Sequence, residues 1–244
     1  MAALVPARLA FRARGVPYSE AYDDVYHSAD GGPEQARHVF LGGNGLPRRW
    51  RGRDLFTIVE TGFGLGLNFL VTCATLLADA KAPARLDYVT AEKHPFAKED
   101  LAAALARYRE LPAEELIGVW PDPVEGIHQL RLARGRIELT LLFGDALEWL
   151  PRIDVRADAI YLDGFAPSRN PELWSAVIMR ELARLAARGA TLATWTVARE
   201  VRERLAAAGF EVEKRPGFGR KREMLAGRFS GHSTLTPASR TMRP

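Results

Sequence analysis

Glu60-Thr61-Gly62-Phe63-Gly64-Leu65-Gly66-Leu67-Asn68 is the stretch that decides the architecture. The apolar run Leu55-Phe56-Thr57-Ile58-Val59 precedes it, and a helix-like run from 69 to 80 follows. A strand ending in an acid, glycines at every second position and then a helix describe a loop built for a nucleotide-type ligand. Glycine lets the backbone approach such a ligand in conformations that a Cβ would forbid. The spacing also disfavours one large class. A dinucleotide fingerprint reads Gly-x-Gly-x-x-Gly, with the third glycine packing helix against strand. Counted from Gly62 that glycine would fall at Leu67, and counted from Gly64 at Phe69. Neither register fits.

Outward from this loop the chain alternates between the two hydrophobic periods. Strands are predicted at 55–60, 86–91, 137–143, 158–163, 190–195, 210–214 and 223–229, and helices at 67–80, 95–109, 145–150, 171–187 and 197–208. That alternation predicts an α/β fold with a doubly wound, mostly parallel sheet, closed by an antiparallel pair around Pro216-Gly217-Phe218-Gly219. Residues 8–28 read as a hairpin turning at Gly15-Val16-Pro17, and 37–44 as a helix or extended arm. The expected organisation is an N-terminal hairpin and arm over 1–50, a main domain over 51–229 and a tail over 230–244. The tail is polar and unpatterned, so disorder is expected there. The segment 111–136, with no obvious strand, reads as a helical insertion: a lid facing the substrate or a packing helix.

A chain of 244 residues fits one large α/β domain better than two small ones. No apolar run approaches the roughly 20 residues that cross a bilayer, and the start, with Pro6 and Arg8, makes a poor secretory signal. The single cysteine, Cys73, is read as a buried core thiol. A cytoplasmic setting is the default expectation. The net charge of +4 is unevenly placed: eight basic residues lie from Lys214 onward against Glu223 alone, while 20–34 is acidic. Such a cationic region suits phosphates and nucleic acid, and equally suits a solvated basic edge. The five histidines lack metal-ligand spacing, so no metal is expected. No nucleophile elbow or Walker loop is present. Trp50, Trp149, Trp174 and Trp195 are read as packing residues.

The pattern acid-x-Gly-x-Gly-x-Gly resembles the first motif of class I S-adenosyl-L-methionine (SAM) methyltransferases. Open parallel sheets bind ligands beyond the carboxyl ends of their strands, so the residues at each strand end are informative. After the second strand come Glu92 and Lys93; an acid there accepts hydrogen bonds from both ribose hydroxyls, or caps the next helix. After the third come Asp145 and Ala146, an adenine-binding acid in enzymes of this class or an N-cap. After the fourth comes Asp163-Gly164-Phe165-Ala166-Pro167, followed by Asn170-Pro171. An acid, a small residue, an aromatic and a proline there suit an amine acceptor. Asp163 would receive N–H bonds and a proton, and Phe165 would stack on a planar group. The same residues would also serve as the turn before a helix opening at Pro171.

Further blocks narrow the likeness: Tyr22-Asp23-Asp24-Val25-Tyr26, Val39-Phe40-Leu41-Gly42-Gly43-Asn44 and Gly217-Phe218-Gly219-Arg220-Lys221-Arg222-Glu223-Met224-Leu225. Over residues 8–229 the chain resembles the methyltransferase domain of the bacterial bifunctional proteins of tRNA 5-methylaminomethyl-2-thiouridine biosynthesis, and their free-standing relatives. The resemblance implies SAM-dependent methylation of the exocyclic amine of 5-aminomethyl(-2-thio)uridine at the wobble position. It implies SAM contacts from Glu60, Gly62, Phe63, Gly64, Gly66, Asn68, Glu92, Lys93, Asp145 and Ala146, with Asp163 and Phe165 at the acceptor. Arg220, Lys221 and Arg222 would meet the tRNA anticodon stem-loop. It also implies a chain without the FAD-dependent half, supplied with its aminomethyl substrate by a separate enzyme or pathway. The other readings are a SAM methyltransferase for a small amine or a protein, and a non-catalytic RNA-binding module.

Overall fold

In the computed structural model residues 4–231 are described, so the expectation for the tail falls, from position 232 onward, outside the described residues. The chain opens with an arm that crosses the ends of later strands: Leu4 N–H donates to the Pro123 carbonyl and Ala7 N–H to that of Pro95. Three short antiparallel strands follow, β1 (Ala10–Arg12), β2 (Val16–Ser19) and β3 (Asp24–Val25). A helical stretch then runs from α1 (Gly32–Ala36) through Arg37–Gly42.

The remaining elements are β4 (Leu55–Glu60), α2 (Leu67–Ala78), β5 (Arg85–Glu92), α3 (Lys98–Leu105), α4 (Ala113–Gly118), β6 (Gly126–Leu132), β7 (Ile137–Phe143) and α5 (Ala146–Trp149). They continue with β8 (Ala157–Tyr161), α6 (Ala176–Leu185), β9 (Ala186–Thr194), α7 (Arg199–Ala207), β10 (Phe210–Pro216) and β11 (Glu223–Phe229). Eight strands form one sheet in the order β10-β11-β9-β8-β4-β5-β7-β6. The central five are parallel; β6 runs antiparallel to β7, and β11 runs antiparallel to both β9 and β10. The expected class, a doubly wound and mostly parallel α/β sheet with an N-terminal hairpin, is the observed one.

Alternation along the strands divides the core into two layers. Phe56, Ile58, Tyr88, Leu139 and Tyr161 face α2, α3 and the N-terminal helical stretch, whereas Val59, Val89, Leu142 and Ile160 face α5, α6 and α7. Cys73 is buried in the first layer, and burial holds its thiol well above the usual range.

Among the boundaries that differ from the sequence expectation, three have a visible physical cause. The insertion contains a strand as well as the short helix α4. In β6 only His128, Leu130 and Leu132 turn inward while Ile127, Gln129 and Arg131 are exposed, so an edge strand with one half-apolar face gave no continuous run. The helix expected over 95–109 is shortened to α3, because Phe96 bridges to Ala7 of the arm and Ala97 is extended. The helix expected over 171–187 starts only at Ala176, where Ser175 Oγ caps Ile178 N–H, because Trp174 is tied back to the Phe165 carbonyl.

After β4 the chain winds outward through β5 and β7, then returns to place β8 on the other side of β4. The order reverses between β4 and β8, which opens a crevice at their carboxyl ends.

Candidate active site

A cleft of about 550 Å³ occupies that crevice. Its floor is the loop Thr61–Leu65, and Glu92, Asp145 and Asp163 stand at the ends of β5, β7 and β8. Its outer wall comes from the N-terminal arm, including Arg8, Tyr22 and Tyr26.

The glycines are required by close packing. A Cβ on Gly62 would lie 3.0 Å from the Asp163 carbonyl oxygen, so glycine lets the loop pass directly beneath that turn without displacing it. Gly66 adopts φ +71°, and a Cβ there would meet the Phe63 ring at 2.6 Å. It opens α2 with no side-chain cap.

Glu92 fastens the loop to β5. One carboxylate oxygen accepts Gly64 N–H at 2.7 Å, and the other accepts His94 N–H at 2.8 Å. Each oxygen keeps lone-pair capacity for a ligand hydroxyl. Asp145 is the N-cap of α5, accepting Leu147 N–H at 2.9 Å, and its other oxygen pairs with Lys93 at 2.7 Å. The Lys93 pair and the cap hold the Asp145 carboxyl below its usual value despite opposing burial. Lys93 also reaches Glu172 at 3.5 Å. Ala146 lines the cleft beside them.

Asp163 is the most constrained acid. The Thr61 hydroxyl donates to its carbonyl at 2.6 Å and accepts its N–H at 3.0 Å. Its carboxylate accepts Asn68 Nδ2–H at 2.7 Å and Gly164 N–H at 2.9 Å. Burial nevertheless raises its pKa to about 6; the two donors and the nearby Asp24 are smaller influences.

Glu60 departs from expectation. Its side chain is fully buried and does not line the cleft: Asn68 and Thr90 donate to it, each at 2.9 Å. Desolvation raises its pKa well above the usual carboxylate value, favouring the neutral form, and it stands behind Asn68 rather than at the cleft surface. Gly66 likewise lies behind the cleft wall. Phe63 touches the cleft but is mostly buried, stacked on Trp120 at 5.5 Å. Phe165 has one face already covered by Tyr22, with ring centroids 4.5 Å apart, while Tyr26 meets it edge-on. A planar acceptor therefore does not stack on that face of Phe165 while Tyr22 is in place.

The basic block lies outside the cleft. Arg220 and Arg222 are exposed, and Asp30 accepts Arg220 N–H at 3.1 Å. Lys221 turns inward instead, with its Nζ 4.5 Å from the centre of the Trp195 ring. Sequence reasoning missed Tyr22, Thr61 and the arm as parts of the cleft. The block Tyr22–Tyr26 carried a signal, but nothing local showed that it would meet the Asp163 turn.

A family profile described as S-adenosyl-L-methionine-dependent methyltransferase matches residues 109–230. The chain belongs to that family. Among curated relatives, it is 60% identical over 230 residues to the tRNA 5-methylaminomethyl-2-thiouridine biosynthesis bifunctional protein MnmC of Azoarcus sp. (strain BH72), covering 93% of this chain and 36% of that protein. The MnmC of Aromatoleum aromaticum is 59% identical over 225 residues, covering 91% and 35% respectively. The chain thus spans about a third of the length of the curated relatives it matches. Among solved structures, MNMC2 from Aquifex aeolicus superposes with a TM-score of 0.72 at 23% identity, covering 96% of this chain and 73% of that one. That likeness confirms the fold.

The cleft of this methyltransferase fits the donor its family uses. A glycine floor leaves room for a flat ligand, and acids at the ends of three strands offer hydrogen-bond acceptors along the cleft. Among the described residues, no group of three or more His, Cys, Asp or Glu side chains could hold a metal ion. No helix of the described chain is long and apolar enough to cross a membrane.

Proposed function

We propose that this methyltransferase acts on the exocyclic amine of 5-aminomethyl(-2-thio)uridine at the tRNA wobble position, giving the 5-methylaminomethyl product. The observation that carries the reading is 60% identity across 93% of the chain to a protein named for tRNA 5-methylaminomethyl-2-thiouridine biosynthesis. The Asp163 turn at the mouth of the cleft supports it chemically.

When bound, S-adenosyl-L-methionine supplies an electrophilic methyl group on a sulfonium. Glu92 holds the ribose hydroxyls with the lone pairs not used by Gly64 and His94 N–H. Asp145 and Ala146 receive the adenine edge, with Lys93 fixing the Asp145 carboxylate. Gly62, Phe63 and Gly64 pass beneath the donor, and Asn68 faces it from the first turn of α2.

On the acceptor side, an amine attacks only through a free lone pair, so its ammonium form must lose a proton. Asp163 accepts the amine N–H bonds, turns the lone pair toward the donor and takes the proton shed. Its raised pKa of about 6 makes it a better proton acceptor than an ordinary surface aspartate. Phe165, held between Tyr22 and Tyr26, walls the turn and keeps water from it. Exposed Arg220 and Arg222 position the anticodon stem-loop by phosphate contacts, and the target nucleotide leaves the stack to reach the cleft. A cytoplasmic setting accords with a tRNA substrate.

The test is nucleoside mass analysis of tRNA bearing 5-aminomethyluridine, incubated with the protein with and without SAM. A gain of one methyl group, only with SAM and only on that nucleoside, is expected. Transfer to small amines or proteins with untouched tRNA would overturn the reading.

A further inference from the structure

Two parallel strands carry Asp163 and Trp195 to the same level. Tyr161 of β8 is in register with Ala193 of β9, and Leu162 N–H donates to the Ala193 carbonyl. Two residues further along each strand are Asp163 and Trp195. Trp195 is only partly buried, and its indole N–H, like the buried one of Trp149, is left without a partner among the described residues while the other three are paired. Those of Trp50, Trp120 and Trp174 donate to Asp79, the Phe96 carbonyl and the Phe165 carbonyl. That of Trp195 is accessible.

Lys221 covers the indole face at 4.5 Å. Among the described residues its ammonium makes no ion pair, and burial lowers its pKa while Asp24 partly offsets this. Asp24 in turn accepts Ala166 N–H at 2.8 Å, which links this corner to the Asp163 turn. The orientation of Lys221 is enforced. Gly217 N–H donates to the Arg222 carbonyl, Lys221 N–H to that of Phe218, and Asp30 holds Arg220 N–H from outside. A half-buried cation without an anion, an unpaired indole N–H and an aromatic face thus lie together at the end of the strand next to that of Asp163, just outside the cleft lining. The Tyr22-covered face of Phe165, by contrast, is closed to a base.

We propose that Trp195 and Lys221 form a pyrimidine-nucleotide subsite next to Asp163, the base lying against the indole and the ammonium bonded to an oxygen acceptor of the same nucleotide. The inference rests on the wobble-uridine reading above and assigns the acceptor's binding surface within it. A base replaces the ammonium on the indole face without loss of stacking, since every base offers a π-face. The displaced ammonium gains an acceptor that the free protein does not provide.

Single-turnover methylation of tRNA bearing 5-aminomethyluridine, with SAM and tRNA saturating, tests the subsite. Trp195→Ala and Lys221→Ala are each expected to slow the step at least tenfold, with SAM affinity unchanged and tRNA affinity within about threefold. Trp195→Phe, which keeps a ring, should recover most of the rate. Arg220→Ala should instead weaken tRNA binding and leave the saturated step alone. A wild-type rate for folded Trp195→Ala, or a Lys221→Ala profile matching Arg220→Ala, would overturn the assignment. An independent arm uses an anticodon stem-loop carrying 4-thiouridine at the wobble position and near-ultraviolet light. Crosslinking to the tryptic peptide 189–199, which contains Trp195, is expected; adducts confined to other peptides would overturn the subsite. Because crosslinking needs no turnover, it separates failure of the subsite from failure of the wobble-uridine reading.

Discussion

Asn68 donates its side-chain N–H to Asp163 Oδ2 at 2.7 Å, and the same nitrogen donates to buried Glu60 at 2.9 Å. The Asp163 carboxylate fixes the amide orientation, since it would repel the amide's carbonyl oxygen and accepts from its N–H. The acid that opens the glycine motif therefore acts on the site from behind, through Asn68. Asn68→Ala removes a donor to a carboxylate, an interaction of about 1.5–3 kcal/mol. Methyl transfer is expected to fall roughly tenfold or more. Because the Asn68 bond lowers the Asp163 pKa, the variant's acid limb should also move to higher pH. Rate–pH profiles of both proteins check this, and coincident profiles would show that Asn68 does not act on Asp163.

The pH dependence follows from Asp163 itself. Its carboxyl, faced by Asn68, Gly164 N–H, Asp24 and Glu60, is raised to about 6. It accepts amine N–H bonds only when ionised, so the rate should climb as pH rises through about 6. Stability runs the other way. A carboxyl raised above its unfolded value contributes most at low pH and loses that contribution as pH rises through the folded pKa. Asp163→Asn should therefore abolish most transfer, leave SAM affinity within a few fold and raise the melting temperature at neutral pH. Calorimetry with a parallel activity assay decides between this and a structural role.

The sequence was informative wherever chemistry follows from strand ends. The glycine loop, Glu92, Asp145 and Asp163 all sit at carboxyl ends of adjacent parallel strands, and local patterning located those ends within a few residues. Glu60 was misread, and the place of Trp195 was not foreseen, for the same reason: strand alternation assigns a side to each residue but not its neighbours across the sheet. Glu60 faces Thr90 of β5, and Trp195 lies level with Asp163 of the next strand. β6 escaped because an edge strand needs only one modestly apolar face. The arm's contacts with the Asp163 turn, such as Arg169 with Asp23 at 2.7 Å, join residues far apart in the chain, and no local pattern announces them.

On the proposed reading Glu92 carries two duties, so its removal should cost more than a ligand contact alone. Glu92→Ala loses the acceptors for Gly64 and His94 N–H as well as any ribose bonds. SAM affinity is expected to drop by about 1.5–3 kcal/mol. Glu92→Gln keeps one carbonyl oxygen and should fall between. An unchanged dissociation constant for Glu92→Ala would remove the ribose role.

Gly62 offers a test of the close approach between loop and acid. A Cβ there would stand 3.0 Å from the Asp163 carbonyl and 3.4 Å from Gly164 Cα, and both are backbone atoms. Gly62→Ala must therefore push the Asp163 turn outward by a few tenths of an ångström, at about 1–3 kcal/mol of stability. Activity should fall further than stability does if the displaced group is the acceptor acid, as proposed. A variant with reduced melting temperature but full turnover would show that the turn tolerates the shift.

Arg220 and Arg222 are exposed on the β10–β11 turn, while Lys221 between them is turned inward. If the two arginines each neutralise one phosphate, replacing both by alanine should lower the slope of log affinity against log salt by roughly 0.7–0.9 per contact. The loss in tRNA affinity should be largest at low salt and should shrink as screening rises. Neither change should alter SAM binding, since the turn lies outside the cleft. Filter binding across a salt series measures the slope. An identical slope in the double variant would take the RNA contact away from this turn and leave the arginines as a solvated edge.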